Sequence, residues 1–294
     1  MKKLVVFGAV VAVAGMVLAA PASANHSWGK YHWARTANPF SLTLGDNTSS
    51  DRAVNWSSML STVSSAWNNP NHLGPSTVLH TTVGTGDAGR DCGAVLGKVE
   101  VCSADYGNNG WLGQAQIWLY RGGGHIAQGT VQLNDYYYKS SSGYQYNNAA
   151  DQLHTICQEV GHTFGLDHQS TSGASLDTCM DYYHNTSSSD TKSTLPNAGD
   201  FGELSCIYDP AFRRQTISST VSTAYASYTH TCRGTGHLDS FDSAGAGATA
   251  GSRSSYFPHA KPSFAPGTKV AKDEYVDQLP NGGKLVTFVT PPNG

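Results

Sequence analysis

Phe40, Leu42 and Leu44 occupy every second position with polar residues between them, the two-residue period of a half-buried strand. The period changes over residues 51–67. There Trp56, Leu60, Val63 and Trp67 fall at helical spacing behind Ser and Asp residues suited to cap a helix. Four β-like runs follow, around 77–83, 98–102, 114–120 and 125–133, separated by Gly-rich turns. A second helix is expected over about 148–164, with Leu153, Ile156 and Val160 on its buried face. A shorter third helix is expected over Ala198–Tyr208, with Phe201, Leu204 and Ile207 facing inward. No internal repeat is visible. These elements predict one domain over residues 25–212 and place all core elements there.

Beyond residue 212 the pattern weakens. Residues 213–255 are rich in Ser, Thr, Gly and Ala, including the run AGAGATAGSRSS, and read as a tether or loosely structured extension. Only Lys284–Thr290 alternates enough to make a strand, so 213–294 is expected to be a C-terminal extension.

At the other end, Lys2 and Lys3 precede an apolar run over 4–18 and the small-x-small triplet Ala22-Ser23-Ala24. This reads as a signal peptide over residues 1–24, the run being too short to span a bilayer, and implies a secreted protein. Removing it takes two lysines and no acid from a chain of formal charge −3, leaving −5. That mild acidity argues against nucleic acid as a partner, and no polybasic patch suggests a membrane. The six cysteines at 92, 102, 157, 179, 206 and 232 fit disulfides in an oxidising compartment. Cys92 and Cys102 are the easiest pair to propose; the other four are left unpaired by the sequence, with Cys206 one candidate partner for Cys232. No CxxC pair supports a four-cysteine metal site.

The chemistry concentrates in QEVGHTFGLDH, Gln158 to His168. On a helix, positions 158 and 162 lie one turn apart and project to the same side, within reach of one metal ion. Glu159 beside them is placed to hold a water and take its proton as general base. Gly165 ends the helix and lets the chain turn, so that His168 returns to the same point. His154 lies two turns from His162, ~12 Å along the axis, too far to share a metal.

Residues 158–168 resemble the signature of the metzincin zinc peptidases, and the wider chain resembles their secreted, matrixin-like branch. Cys179-Met180-Asp181-Tyr182 resembles the methionine turn beneath the zinc, with Met180 structural and Tyr182 at a position that binds zinc or stabilises an oxyanion. HIAQGTVQLND resembles the edge strand that pairs with substrate. The resemblance covers about residues 31–210, and only 158–168 and 179–182 are specific. It implies an α+β, zincin-like domain with a mixed twisted sheet, an active-site helix and a Met-turn. It also implies Zn2+ as cofactor, an extended polypeptide as substrate and a monomeric enzyme.

The departure is Gln158, which stands where the family carries its first zinc-binding histidine. An amide oxygen is a poorer zinc donor than an imidazole nitrogen. Three readings stand: Gln158 ligates weakly, with Tyr182 or water completing the shell; His162 and His168 hold zinc with water; or the site is degenerate. Two functions follow, a secreted zinc endopeptidase and a catalytically silent extracellular binding protein on the same fold. His26, His32, His80 and His125 read as surface or structural residues, and GDAGRDCG reads as a turn.

Overall fold

The computed structural model describes residues 26–35, 37–48, 54–69, 78–89, 91–122, 124–139, 141, 143–208 and 268–292, with backbone alone at 216–219 and 228–231. The expected signal peptide and most of the Ser/Gly-rich stretch lie outside the described residues.

The strand periodicity resolves into β1 (His32–Trp33), β2 (Phe40–Asn47), β3 (Leu79–Thr85), β4 (Lys98–Ala104), β5 (Gly113–Leu119) and β6 (His125–Asn134). The helices are α1 (Trp56–Asn68), a single turn α2 (Asp135–Tyr138), α3 (Ala149–His162) and α4 (Ala198–Tyr208). Helix α1 begins later than expected and is capped by Asn55, whose side chain accepts from the Ser58 amide; the Ser and Asp expected to cap it lie outside the described residues. Near the C-terminus come the two-stranded pair β7 (Thr216–Ser219) and β8 (Tyr228–Thr231), then β9 (Thr268–Ala271), β10 (Glu274–Gln278) and β11 (Lys284–Thr290).

The main sheet runs β3-β2-β4-β6-β5-β11-β10-β9, with β1 beside β6. Strands β3, β2, β4 and β6 are parallel, and β5, β11, β10 and β9 each run antiparallel to the neighbour before it. The architecture is therefore α+β on a mixed sheet. Helices α1 and α3 pack together, α1 over β2 and β3, α3 over β5, β6 and β11. Between them lies a core that includes Leu44, Trp56, Leu60, Trp67, Val99, Ile117, Val131, Ile156 and Phe164. A smaller cluster of Ala94, Trp118, Ala127 and Leu285 covers part of the other face. No helix among the described residues is long and apolar enough to cross a membrane.

Two expectations need correction. The HIAQGTVQLND segment is β6, which lies inside the sheet between β4 and β5 and is buried along nearly its whole length. It presents no edge to a substrate. The boundary at residue 212 also fails for the last strand, because β11 pairs with β5 over seven residues and completes the sheet. The Lys284–Thr290 strand was legible, but its place in the core was not.

Disulfides join Cys92 to Cys102, as expected, and Cys157 to Cys179, a pairing the sequence left open. Cys206 is also disulfide-bonded; its suggested partner Cys232 lies outside the described residues.

Candidate active site

Helix α3 carries the site and is buried almost all round, so its polar residues face protein rather than water. Its first turn is capped by Asn148, whose side-chain oxygen accepts from the amides of Ala150 and Asp151. The helix ends at His162 with Thr163 as its C-cap, short of the expected Phe164, and Gly165 makes the turn that follows. Gly165 has φ of +93°, and a Cβ there would stand 2.2 Å from the Tyr31 carbonyl oxygen. The chain turns back, and His168 comes to face His162 with their Nε2 atoms 3.1 Å apart.

That distance carries chemical meaning. Two nitrogens each about 2.0–2.1 Å from a tetrahedral zinc stand roughly 3.3 Å apart. The Nδ1 of His162 donates to the Leu166 carbonyl at 2.8 Å, which fixes the tautomer and leaves Nε2 with its lone pair. Burial lowers the His162 pKa to about 3. Burial, together with the neighbouring His162, holds His168 well below the usual imidazole range. Both rings are therefore neutral at pH 7, the form a metal requires.

Glu159 lies wholly buried one residue after Gln158. Burial pushes its pKa up to about 8, against hydrogen bonds from the Thr290 side chain and the backbones of Thr290 and Ala115. Its Oε2 has no hydrogen-bond partner. Thr290 Oγ1 lies 2.5 Å from Gln158 Oε1 and 2.6 Å from Glu159 Oε1. The hydroxyl has one hydrogen, and an amide oxygen only accepts. The carboxylic form of Glu159 completes both bonds by donating to Thr290, which donates to Gln158.

Gln158 Nε2 donates to the carbonyls of Cys179 and Asp181, at 3.0 and 2.7 Å. The amide thus ties α3 to the turn that holds Met180. Met180 is fully buried beneath the helix, its Sδ 2.5 Å from where a Cβ on Gly161 would stand. Tyr182 sets its ring edge against His168 at 4.2 Å, but its hydroxyl donates to Asp273 at 2.7 Å. His154 bonds the Ser193 carbonyl instead, 2.5 Å away.

The structure therefore brings His162, His168 and Tyr182 into contact, joins Gln158 and Glu159 through Thr290, and sets Met180 under Gly161. Sequence reasoning missed their neighbours: Phe288 stacks on His162 at 4.0 Å, and Trp28 packs on Phe288 at 3.8 Å. The available signal was the alternation of 284–290, which puts Val286, Phe288 and Thr290 on one face. Of the histidines set aside, His26 is buried against Asp200 and His32 against His125, and His80 is exposed.

The donors suit zinc in type but not in number. Among the described residues no three His, Cys, Asp or Glu side chains converge as a metal site. A zinc ion would rest on His162 and His168, with Gln158 Oε1 or water as further ligands. No family model matches this chain, and no curated protein is significantly similar to it.

Proposed function

We propose that this chain is a secreted, zinc-dependent endopeptidase of metzincin type. The observation that carries the reading is the pair of neutral, buried imidazoles with Nε2 atoms 3.1 Å apart beside Glu159. His162 and His168 would hold the ion, oriented by the Leu166 carbonyl and the turn at Gly165. When bound, zinc supplies a Lewis acid that polarises the scissile carbonyl and acidifies the attacking water. Glu159, as carboxylate, takes the proton of that water and delivers it to the leaving amine. Its burial keeps competing solvent away and sets its pKa near the range where one group serves as both base and acid. Gln158 holds the helix to the Met180 turn, which keeps position 159 in register with the histidines. Five disulfide-bonded cysteines among the described residues, in Cys92–Cys102, in Cys157–Cys179 and at Cys206, support export.

The test is zinc content and casein digestion by purified protein, with and without chelator. Glu159→Ala should lower peptide cleavage by about two to four orders of magnitude while zinc binding stays unchanged. Undiminished cleavage by that variant would sink the assignment. The incomplete donor set favours a second reading, a silent extracellular binding protein on the same fold; absence of zinc binding by the native chain would support it.

A further inference from the structure

One segment of the chain's own C-terminus touches nearly every candidate residue. Thr290 meets Gln158 and Glu159. Phe288 stacks on His162 and stands edge-on to His168 at 5.3 Å. Asp273 takes the Tyr182 hydroxyl, and the Lys272 ammonium lies 4.3 Å over the Tyr182 ring. The segment that does this is an added strand. From Lys284 opposite Leu119 to Thr290 opposite Gly113, β11 runs antiparallel to β5 in unbroken register. Take the hairpin away and β5 becomes a sheet edge leading to the histidine pair. Such an edge binds extended peptides through main-chain hydrogen bonds, with alternate side chains in pockets.

The hairpin's hold rests on β11, whose Val286 and Phe288 are buried in the core. Beyond β11 its strands bury little: β9 is exposed at every residue and β10 is at most half-buried. Fifty-nine residues of chain separate Tyr208 at the end of α4 from Thr268 at the start of the hairpin.

We propose that the β9–β11 hairpin occupies, in cis, a peptide-binding edge on β5 and so holds the candidate active site closed. The ligand it excludes is an extended polypeptide running antiparallel to β5. That ligand puts a large apolar or aromatic side chain where Phe288 sits and a small one where Thr290 sits. This rests on the peptide-directed reading of the site given above.

The test uses the full chain. In the native protein, hydrogen exchange at Val286 and Phe288 amides should proceed by a local opening, faster than at Val99 and Val131 in the β4–β6 ladder. In full-length Val286→Pro, which removes a backbone donor and breaks the strand, β5 should lose protection while α3 keeps it. A labelled synthetic peptide of sequence KLVTFVT should then bind roughly 10- to 100-fold tighter to the variant than to the native chain, the factor expected if about 1–10% of native molecules are open. Exchange of β11 only through global unfolding would overturn the proposal, and so would loss of α3 protection in the variant or equal peptide affinity for both chains. Tighter peptide binding without hydrolysis would leave the occupant in place and sink the peptidase reading. Equal hydrolysis by both chains would do the reverse.

Discussion

Gln158 separates what spacing reveals from what tertiary structure adds. Positions 158, 162 and 168 were legible as a cluster because helix geometry and one glycine turn fix them locally. The fate of the glutamine's amide was not, since both its hydrogens go to carbonyls 21 and 23 residues further on. Gln158→His should tighten zinc binding in chelator competition, because a ring nitrogen replaces a neutral amide oxygen. The same change should lower folding stability by about 1–3 kcal/mol in urea titration, since an imidazole cannot satisfy both the Cys179 and Asp181 carbonyls. Tighter metal with unchanged stability would show the amide's two bonds to be dispensable. Unchanged metal affinity would place the ion away from position 158.

Among the elements, α1, α3 and α4 and the strands β2 to β6 and β11 were readable from period, while α2, β1 and β7 to β10 were not, and α4 agrees with expectation at both ends. The order of strands in the sheet was not, because period tells which face is buried and says nothing of neighbours. β6 shows the consequence: its Gln128, Thr130 and Gln132 are as buried as its apolar residues, so it is interior. Helix α3 misled in the same way. Leu153 is only partly buried, packed against the core from its margin, while Asp151, Gln158 and Glu159 are wholly buried. The Cys157–Cys179 disulfide is the covalent counterpart of the Gln158 tie, since each cysteine adjoins a site residue. Closing a loop with sequence separation 22 removes denatured-state entropy worth about 3 kcal/mol. Replacing both cysteines with alanine should lower the unfolding free energy by that amount, read as a lower urea midpoint, and a null shift would deny the bond a role in stability.

At the scale of the whole molecule, composition placed a boundary near residue 212 that the last strand crosses, because composition reports how a segment is built and not what it docks on. The N-terminal end is fastened comparably. His26 Nε2 meets Asp200 Oδ1 at 3.1 Å, joining the start of the described chain to the first turn of α4. Asp200 is itself held there, its Oδ2 accepting from Thr178 and from the Asn197 amide. Burial alone would lower the His26 pKa, but the hydrogen bond and charge of Asp200, with Glu203 and Asp167 nearby, outweigh it and raise it above 6.5. A histidine whose folded pKa is raised contributes stability that is complete below about pH 6.5 and is lost as pH rises through the folded value. Full-length His26→Gln keeps an amide donor for Asp200 at every pH but carries no charge, so other titrating groups cancel in the comparison. The native chain should therefore melt higher than His26→Gln at pH 6, by the roughly 1.5–3 kcal/mol of a hydrogen bond to a charged group. That corresponds to several degrees at about 2–4 °C per kcal/mol. The gap should shrink as pH is raised from 6 to 9, read as the difference in Tm between the two proteins. A gap that stays constant would mean the imidazole is neutral throughout and that Asp200 holds His26 by geometry alone. A gap that widens would mean burial outweighs the carboxylate after all.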